Sequence, residues 1–123
     1  MAKNVDESLK DAMEIKGAIG AALVDYTSGM TLGTAGGNGI NLDVAAAGNT
    51  EVVRAKQAVM KDLGIKGGIE DILITLDKQL HIIRLMDTDR GEGLFLYVAL
   101  NKDQANLAMA RHQLSAIEKQ LAV

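Results

Sequence analysis

The chain has 123 residues, 48% of them hydrophobic and 24% charged, with a formal net charge of −3. This composition is typical of one globular domain, so we predict a single domain over residues 1–123 and exclude a disordered chain. The absence of cysteine excludes disulfides, thiol nucleophiles and thiolate metal sites, and the presence of only one phenylalanine and two tyrosines disfavours binding of nucleic acid by base stacking.

The N-terminal part of the chain predicts a helix and two strands. Asn4 and Glu7 form a capping-box pattern that begins a helix over residues 4–14. Residues 18–25 are apolar on both faces of a predicted strand, which favours a place in the middle of a sheet. The weaker strand at 30–35 has few large apolar side chains and suits a sheet edge.

A glycine-rich loop at residues 36–40 leads to a long predicted helix over 42–63. The loop lacks the Gly-Lys-Ser/Thr ending of a phosphate-binding loop, so we interpret it as a flexible connector. Asn41 is the expected N-cap, and Gly64 ends the helix. The small residues at 45–48 allow another backbone to approach closely, which could be that of the first strand or that of a second helix.

Three further strands and a last helix complete the chain. Residues 69–76, 80–86 and 94–100 are strand-like runs at hairpin spacing, and the last run is apolar on both faces. Asn101 is the expected N-cap of the final helix, with Gln104 as its reciprocal partner.

The order α-β-β-α-β-β-β-α, with strands at hairpin spacing, predicts an α+β fold. The five strands form an antiparallel sheet, and the strands that are apolar on both faces require helices on both faces of that sheet. The expected architecture is a three-layer sandwich.

The strand at 69–76 presents an unusual sheet edge. It contains no proline, and its only charged residues are Glu70 and Asp71 near its start. Soluble monomers usually blunt such an edge, so we predict that it pairs with a second copy of the chain. The alternative is that the loop at 65–68 covers the edge.

No residue pattern indicates catalysis or a resident metal. His81 and His112 lack a second ligand at metal-binding spacing, and His81 is expected to be an exposed or hydrogen-bonded strand residue. The polar turn at 87–93 departs from the calcium-loop pattern. We therefore predict that the chain is not an enzyme and has no cofactor.

Several short stretches, in order along the chain, follow the pattern of a known family. They are Ile15-Lys16-Gly17, Gly20-Ala21-Ala22-Leu23-Val24, Ser28-Gly29-Met30-Thr31-Leu32, Asp43-Val44-Ala45-Ala46-Ala47, Leu96-Tyr97-Val98-Ala99-Leu100 and Ala105-Asn106-Leu107-Ala108-Met109-Ala110-Arg111. In these stretches, and over nearly its whole length, the sequence resembles the Roadblock family, which is named for a dynein light chain.

The resemblance implies a profilin-like and longin-like sandwich that forms homodimers or heterodimers through the third strand and the long helix. It also implies a non-catalytic platform or regulator for a Ras-like small GTPase, although some members are dynein light chains. The chain is similar to the short bacterial members that serve signalling or polarity systems. We expect a cytoplasmic protein, since no stretch resembles a signal peptide or membrane span.

Site residues follow from the resemblance and from the helix pattern. We expect partner contacts on polar positions of the long helix, which are Glu51, Arg54, Gln57 and Lys61. The expected dimer contacts are Ala45, Val52, Ile72 and Ile74. Arg54 could be an arginine finger or an exposed, solvated side chain. The alternatives to GTPase regulation are a nucleotide-independent scaffold that heterodimerises within a larger complex, and a small-ligand sensor.

Overall fold

The computed structural model describes residues 2–86 and 93–122, which form three helices and five strands in the predicted order. The elements are α1 (Val5–Met13), β1 (Ala18–Asp25), β2 (Met30–Gly36), α2 (Leu42–Asp62), β3 (Asp71–Thr75), β4 (Gln79–Leu85), β5 (Leu94–Asn101) and α3 (Leu107–Gln120).

All strand pairs are antiparallel, and the sheet order is β2-β1-β5-β4-β3. The strands that are apolar on both faces, β1 and β5, occupy central positions, and β2 and β3 lie at the two edges, as predicted. Helices α1 and α3 pack on one face of the sheet and α2 packs on the other, each over its own cluster of buried residues. The predicted α+β sandwich is therefore confirmed.

Local capping sets the start of two helices. Asn4 accepts a hydrogen bond from the Glu7 backbone N–H at 2.8 Å, and the Glu7 carboxylate accepts one from the Asn4 N–H, so the capping box is complete. The side chain of Asn41 accepts bonds from two N–H groups in the first turn of α2. These interactions span at most three residues, which is why the sequence pattern located them.

The start of α3 differs from the prediction. Its N-cap is Asn106, whose side chain accepts a hydrogen bond from the Met109 N–H at 3.0 Å. Asn101 is instead the last residue of β5 and pairs with Gln79. The Gln104 N–H donates to the Asn101 carbonyl within the turn that follows. Strand pairing thus holds Asn101 in the sheet, and the helix begins later in the chain.

Strand β3 is shorter than the predicted run at 69–76, since only Asp71–Thr75 pair with β4. The predicted turn at 87–93 lies, apart from Gly93, outside the described residues. Within the part of the chain that the structure describes, no helix is long and apolar enough to cross a membrane.

The glycine-rich loop packs closely against β1. The Gly37 N–H donates to the Ile19 carbonyl at 2.9 Å, and Gly37 has a φ of +97°. A Cβ added at Gly20 would lie 3.1 Å from the Gly37 backbone and 3.2 Å from the Leu42 side chain. The absence of side chains at both glycines therefore allows this loop to bring the start of α2 onto the sheet.

Candidate functional site

The outer side of β3 carries backbone groups that no other strand pairs. The Leu76 N–H donates to the Gln79 carbonyl at 2.9 Å. The Leu85 N–H donates to the Glu70 carbonyl at 3.1 Å. Because successive strand residues point their backbone groups to opposite sides, the even-numbered residues face β4. The residues whose backbone groups point outward are Asp71, Leu73 and Thr75.

This edge is open within the described structure. Over residues 2–86 and 93–122, none of the turn, loop or capping hydrogen bonds between backbone groups involves Asp71, Leu73 or Thr75. The loop at 65–68, the alternative cover, is exposed along its length, and its Ile65 N–H bonds back to the Met60 carbonyl at the end of α2. The outward backbone groups of β3 are therefore in a position to pair with another strand.

One flank of α2, on the sheet face that Ile72 and Ile74 of β3 share, is apolar and exposed. The helix packs on the sheet through Leu42, Ala46, Thr50 and Val53, which are buried. On the exposed flank, Val44 and Leu63 are 66% and 65% exposed. Val52 and Val59 are also exposed and lie on the same flank at helical spacing. The helix thus leaves a strip of apolar side chains in solvent.

The small residues of α2 contribute to the same surface. Of the residues at 45–48, only Ala46 is fully buried, and Ala47 and Gly48 are exposed. A Cβ added at Gly48 would meet no atom within 4 Å. Of the two uses expected for this patch, close packing on β1 therefore does not apply to Ala47 or Gly48.

A groove of about 440 Å³ separates α2 from strands β4 and β5. Side chains of the loop and of α2 form one wall, and polar side chains of the two strands form the floor. The lining residues are Gly39, Ile40, Asn41, Val44, Ala45, Gly48, Asn49, Val52, Gln79, His81 and Tyr97.

His81 occupies the floor of this groove in a hydrogen-bonded cluster. Its Nε2 lies 2.8 Å from the Gln79 Oε1, and its Nδ1 lies 3.2 Å from the Tyr97 hydroxyl. The rings of His81 and Tyr97 meet edge to face, with centroids 5.4 Å apart. Because the Gln79 oxygen can only accept, Nε2 carries the proton of the neutral ring, and Nδ1 accepts from Tyr97.

Burial disfavours the charged forms of both rings. It lowers the pKa of His81 from its usual 6.5 and raises the pKa of Tyr97 from its usual 10.0. Both groups are therefore uncharged at neutral pH. His81 is a hydrogen-bonded strand residue, one of the two environments expected from the sequence.

The structure brings the four expected dimer residues to one side of the molecule. Ala45 and Val52 line the groove. Ile72 and Ile74 are partly buried on the same sheet face, in register with Ile83 and His81 of β4. The sequence patterns did not identify Val44, Val59 or Tyr97 as part of this surface, and they did not place His81 there. The alternation of side chains along β4 and β5, combined with the hairpin register, could have identified the two ring residues.

The four expected partner contacts have different environments. Glu51 and Lys61 are exposed, and Gln57 is partly buried. The guanidinium of Arg54 donates to the Tyr26 and Thr27 carbonyls, each at 3.0 Å. Arg54 is exposed, and these two hydrogen bonds join α2 to the β1–β2 turn.

Within residues 2–86 and 93–122, no group of three or more histidine, aspartate or glutamate side chains could hold a metal ion. The features that distinguish this chain are surfaces: the open edge of β3, the apolar flank of α2 and the groove between them.

No protein-family model matches the sequence, and no curated protein matches it. Solved structures do match the fold. A Roadblock/LC7 domain from Streptomyces avermitilis superposes with a TM-score of 0.80 at 16% identity, over 95% of this chain and 93% of that chain. MglB from Myxococcus xanthus superposes with a TM-score of 0.72 at 18% identity, over 93% of this chain and 85% of that chain. The gliding protein MglB from Thermus thermophilus superposes with a TM-score of 0.67 at 21% identity, over 93% of this chain and 87% of that chain.

Proposed function

We propose that this chain, which has the Roadblock/LC7 fold, is a dimeric, non-catalytic docking platform for a Ras-like small GTPase in a cytoplasmic signalling or polarity system. The observation that carries the proposal is that one molecule has both an open edge strand, β3, and an exposed apolar flank of α2 on the sheet face that β3 shares. A second copy of the chain fits this surface, because a two-fold axis matches an edge strand with itself and one helix flank with itself.

The proposed pairing has a definite register. With the two-fold axis at Leu73, this residue faces Leu73 of the second copy, and Asp71 faces Thr75. Each such pair can exchange two backbone hydrogen bonds, because these residues point outward from β4. In the same register, Ile72 faces Ile74 of the second copy, which continues the apolar surface across the joined sheets.

The helix flanks meet on the α2 side of the joined sheets. Dimerisation would bury the side chains of Val44, Val52 and Val59 there. Burial of apolar surface contributes about 25 cal/mol per Å² to the free energy of association. Ala47 and Gly48 would allow close contact between the two helices. This gives the exposed valines and the small residues of α2 a common partner.

GTPase binding is proposed from the resemblance to the Roadblock family together with the surface that the dimer would leave free. Glu51 and Lys61 are exposed polar residues on α2. Lys61 lies on the opposite side of the helix from Val52, so a dimer through the valine flank would leave it accessible. Regulation requires that the platform bind the GTP-bound and GDP-bound forms with different affinities, since a ligand without such a difference shifts no equilibrium.

The dimer is tested by light scattering behind a sizing column. We expect a mass of twice the 13.0 kDa of the chain, and we expect Leu73→Lys to reduce it to that of one chain. The lysine would place two like charges at the two-fold axis, and the 41% exposure of Leu73 gives its ammonium group access to water in the separate chain. Leu32→Lys is the matched control, because Leu32 is 40% exposed on the other edge strand. A wild-type chain that elutes as a monomer would contradict the proposal.

GTPase binding is tested by affinity capture from the native lysate, in parallel with GDP and with a non-hydrolysable GTP analogue. We expect a small GTPase to be enriched with one nucleotide only. Equal capture with both nucleotides would favour the alternative, a nucleotide-independent scaffold that heterodimerises within a larger complex. The monomeric Leu73→Lys variant in the same experiment shows whether capture needs the dimer.

A further inference from the structure

We propose that protonation of His81 weakens the association of two copies through the α2 groove, so that the dimer dissociates as the solution becomes mildly acidic. This inference rests on the proposed function, because it takes the second copy as the cover of the groove. It adds a regulatory device that is built into the association surface itself.

The position of His81 couples its charge to this surface. His81 is partly buried on the groove floor, and it pairs across the ladder with Ile74 of the edge strand. It therefore lies one strand away from the open edge and beneath the flank of α2 that carries Val44 and Val52. A second copy that covers this flank would remove much of the remaining water from the imidazole.

The described lining of the groove gives His81 no carboxylate that could pair with a positive charge. From β5 it faces Tyr97, which is the only other titratable group in the described lining of the groove. From β3 it faces Ile74, and the groove-lining residues of α2 and of the loop at 39–41 are uncharged. The acidic residues of α2 nearest to this wall, Asp43 and Glu51, are exposed and are not part of the lining.

The start of α2 acts in the same direction. Its first turn, with Asn41 and Val44, lines the groove, and a helix N-terminus carries a partial positive charge that disfavours a nearby cation. Of the two hydrogen bonds, the one that Nε2 donates to Gln79 suits either form of the ring, and the one that Nδ1 accepts from the Tyr97 hydroxyl requires the neutral ring.

The sign of the pH dependence follows from linkage. Burial already lowers the pKa of His81 in one chain, and deeper burial by a second copy would lower it further. The dimer would then bind fewer protons than two separate chains. Association is therefore strongest above the pKa of His81 in the separate chain, and it weakens as the pH falls below that value.

The test is the dissociation constant of the dimer, measured by sedimentation equilibrium at pH 8 and pH 5.5. Because each dimer contains two copies of His81, both rings contribute to the linkage, and we expect the constant to increase at the lower pH. His81→Gln should remove most of this increase, since glutamine stays neutral and keeps its hydrogen-bonding groups. His112→Gln is the matched control, because His112 is exposed on α3, on the opposite face of the sheet, and should leave the increase intact.

The possible outcomes separate the two proposals. A chain that is monomeric at pH 8 would overturn the dimer and this inference together. A wild-type dimer whose dissociation constant is the same at both pH values would overturn only the inference, as would an undiminished response in a folded His81→Gln variant. NMR titration of the His81 ring gives a second measurement if that variant fails to fold. Its pKa should be lower in the wild-type dimer than in the monomeric Leu73→Lys variant, and equal values would contradict the inference.

Discussion

Gly48→Ala should stabilise the separate chain and weaken the dimer. Gly48 lies inside α2, where glycine is less favourable than alanine by about 0.9 kcal/mol because it loses more backbone entropy on folding. The added methyl group would meet no atom within 4 Å, so neither a steric clash nor new burial alters this value. We therefore expect the free energy of unfolding to increase by about 0.9 kcal/mol, with a rise in Tm of about 3–6 °C.

The assay is urea unfolding followed by circular dichroism, in the Leu73→Lys background so that dimerisation does not contribute. The midpoint should increase with an unchanged dependence on urea, because the area exposed on unfolding is nearly the same. Ala47→Gly is the matched control on the neighbouring exposed position, and it should lower the stability by a similar amount. A decrease in stability for Gly48→Ala would refute the reasoning, because it would mean that the site is not open.

The same substitution in the otherwise wild-type chain examines the helix contact of the dimer. If the second helix crosses close to Gly48, the methyl group overpacks the contact, which typically costs about 1–3 kcal/mol. The dimer should then dissociate more readily although each chain is more stable. An unchanged dissociation constant would place the crossing of the two helices elsewhere along α2.

Two other substitutions examine contacts that the sequence did not indicate. Ser8→Ala should increase the free energy of unfolding, measured by urea unfolding, by about 1 kcal/mol. The reason is that the Ser8 hydroxyl is buried without a hydrogen-bond partner in the described structure. A loss of stability would show that the hydroxyl has a partner in solution. Arg54→Ala should lower the free energy of unfolding by about 1 kcal/mol. It should also speed hydrogen exchange in the β1–β2 turn, where the Gly29 N–H bonds to the Asp25 carbonyl. Unchanged exchange would show that the two bonds of Arg54 do not hold this turn. If the captured GTPase hydrolyses GTP faster with the wild-type chain, an undiminished single-turnover rate with Arg54→Ala would remove the arginine-finger hypothesis.

The sequence alone was sufficient for the features whose interactions are local. The caps at Asn4 and Asn41 join groups at most three residues apart, so the order of residues specifies them. The runs of β1 and β5 are apolar on both faces, so both strands need cover on both faces and therefore a central place in the sheet. These features account for the correct order of elements and for the predicted edge positions of β2 and β3.

The tertiary structure decided the features that depend on pairing across the chain. Asn101 has the sequence context of a helix cap, but its pairing with Gln79 keeps it in β5. Arg54 has the pattern of a solvated helix residue, but it bonds to carbonyls 27 and 28 residues away. The contact between His81 and Tyr97 depends on the register of two strands. Such contacts follow from how the elements meet, because a shift of one residue in register moves every side chain of a strand to the opposite face.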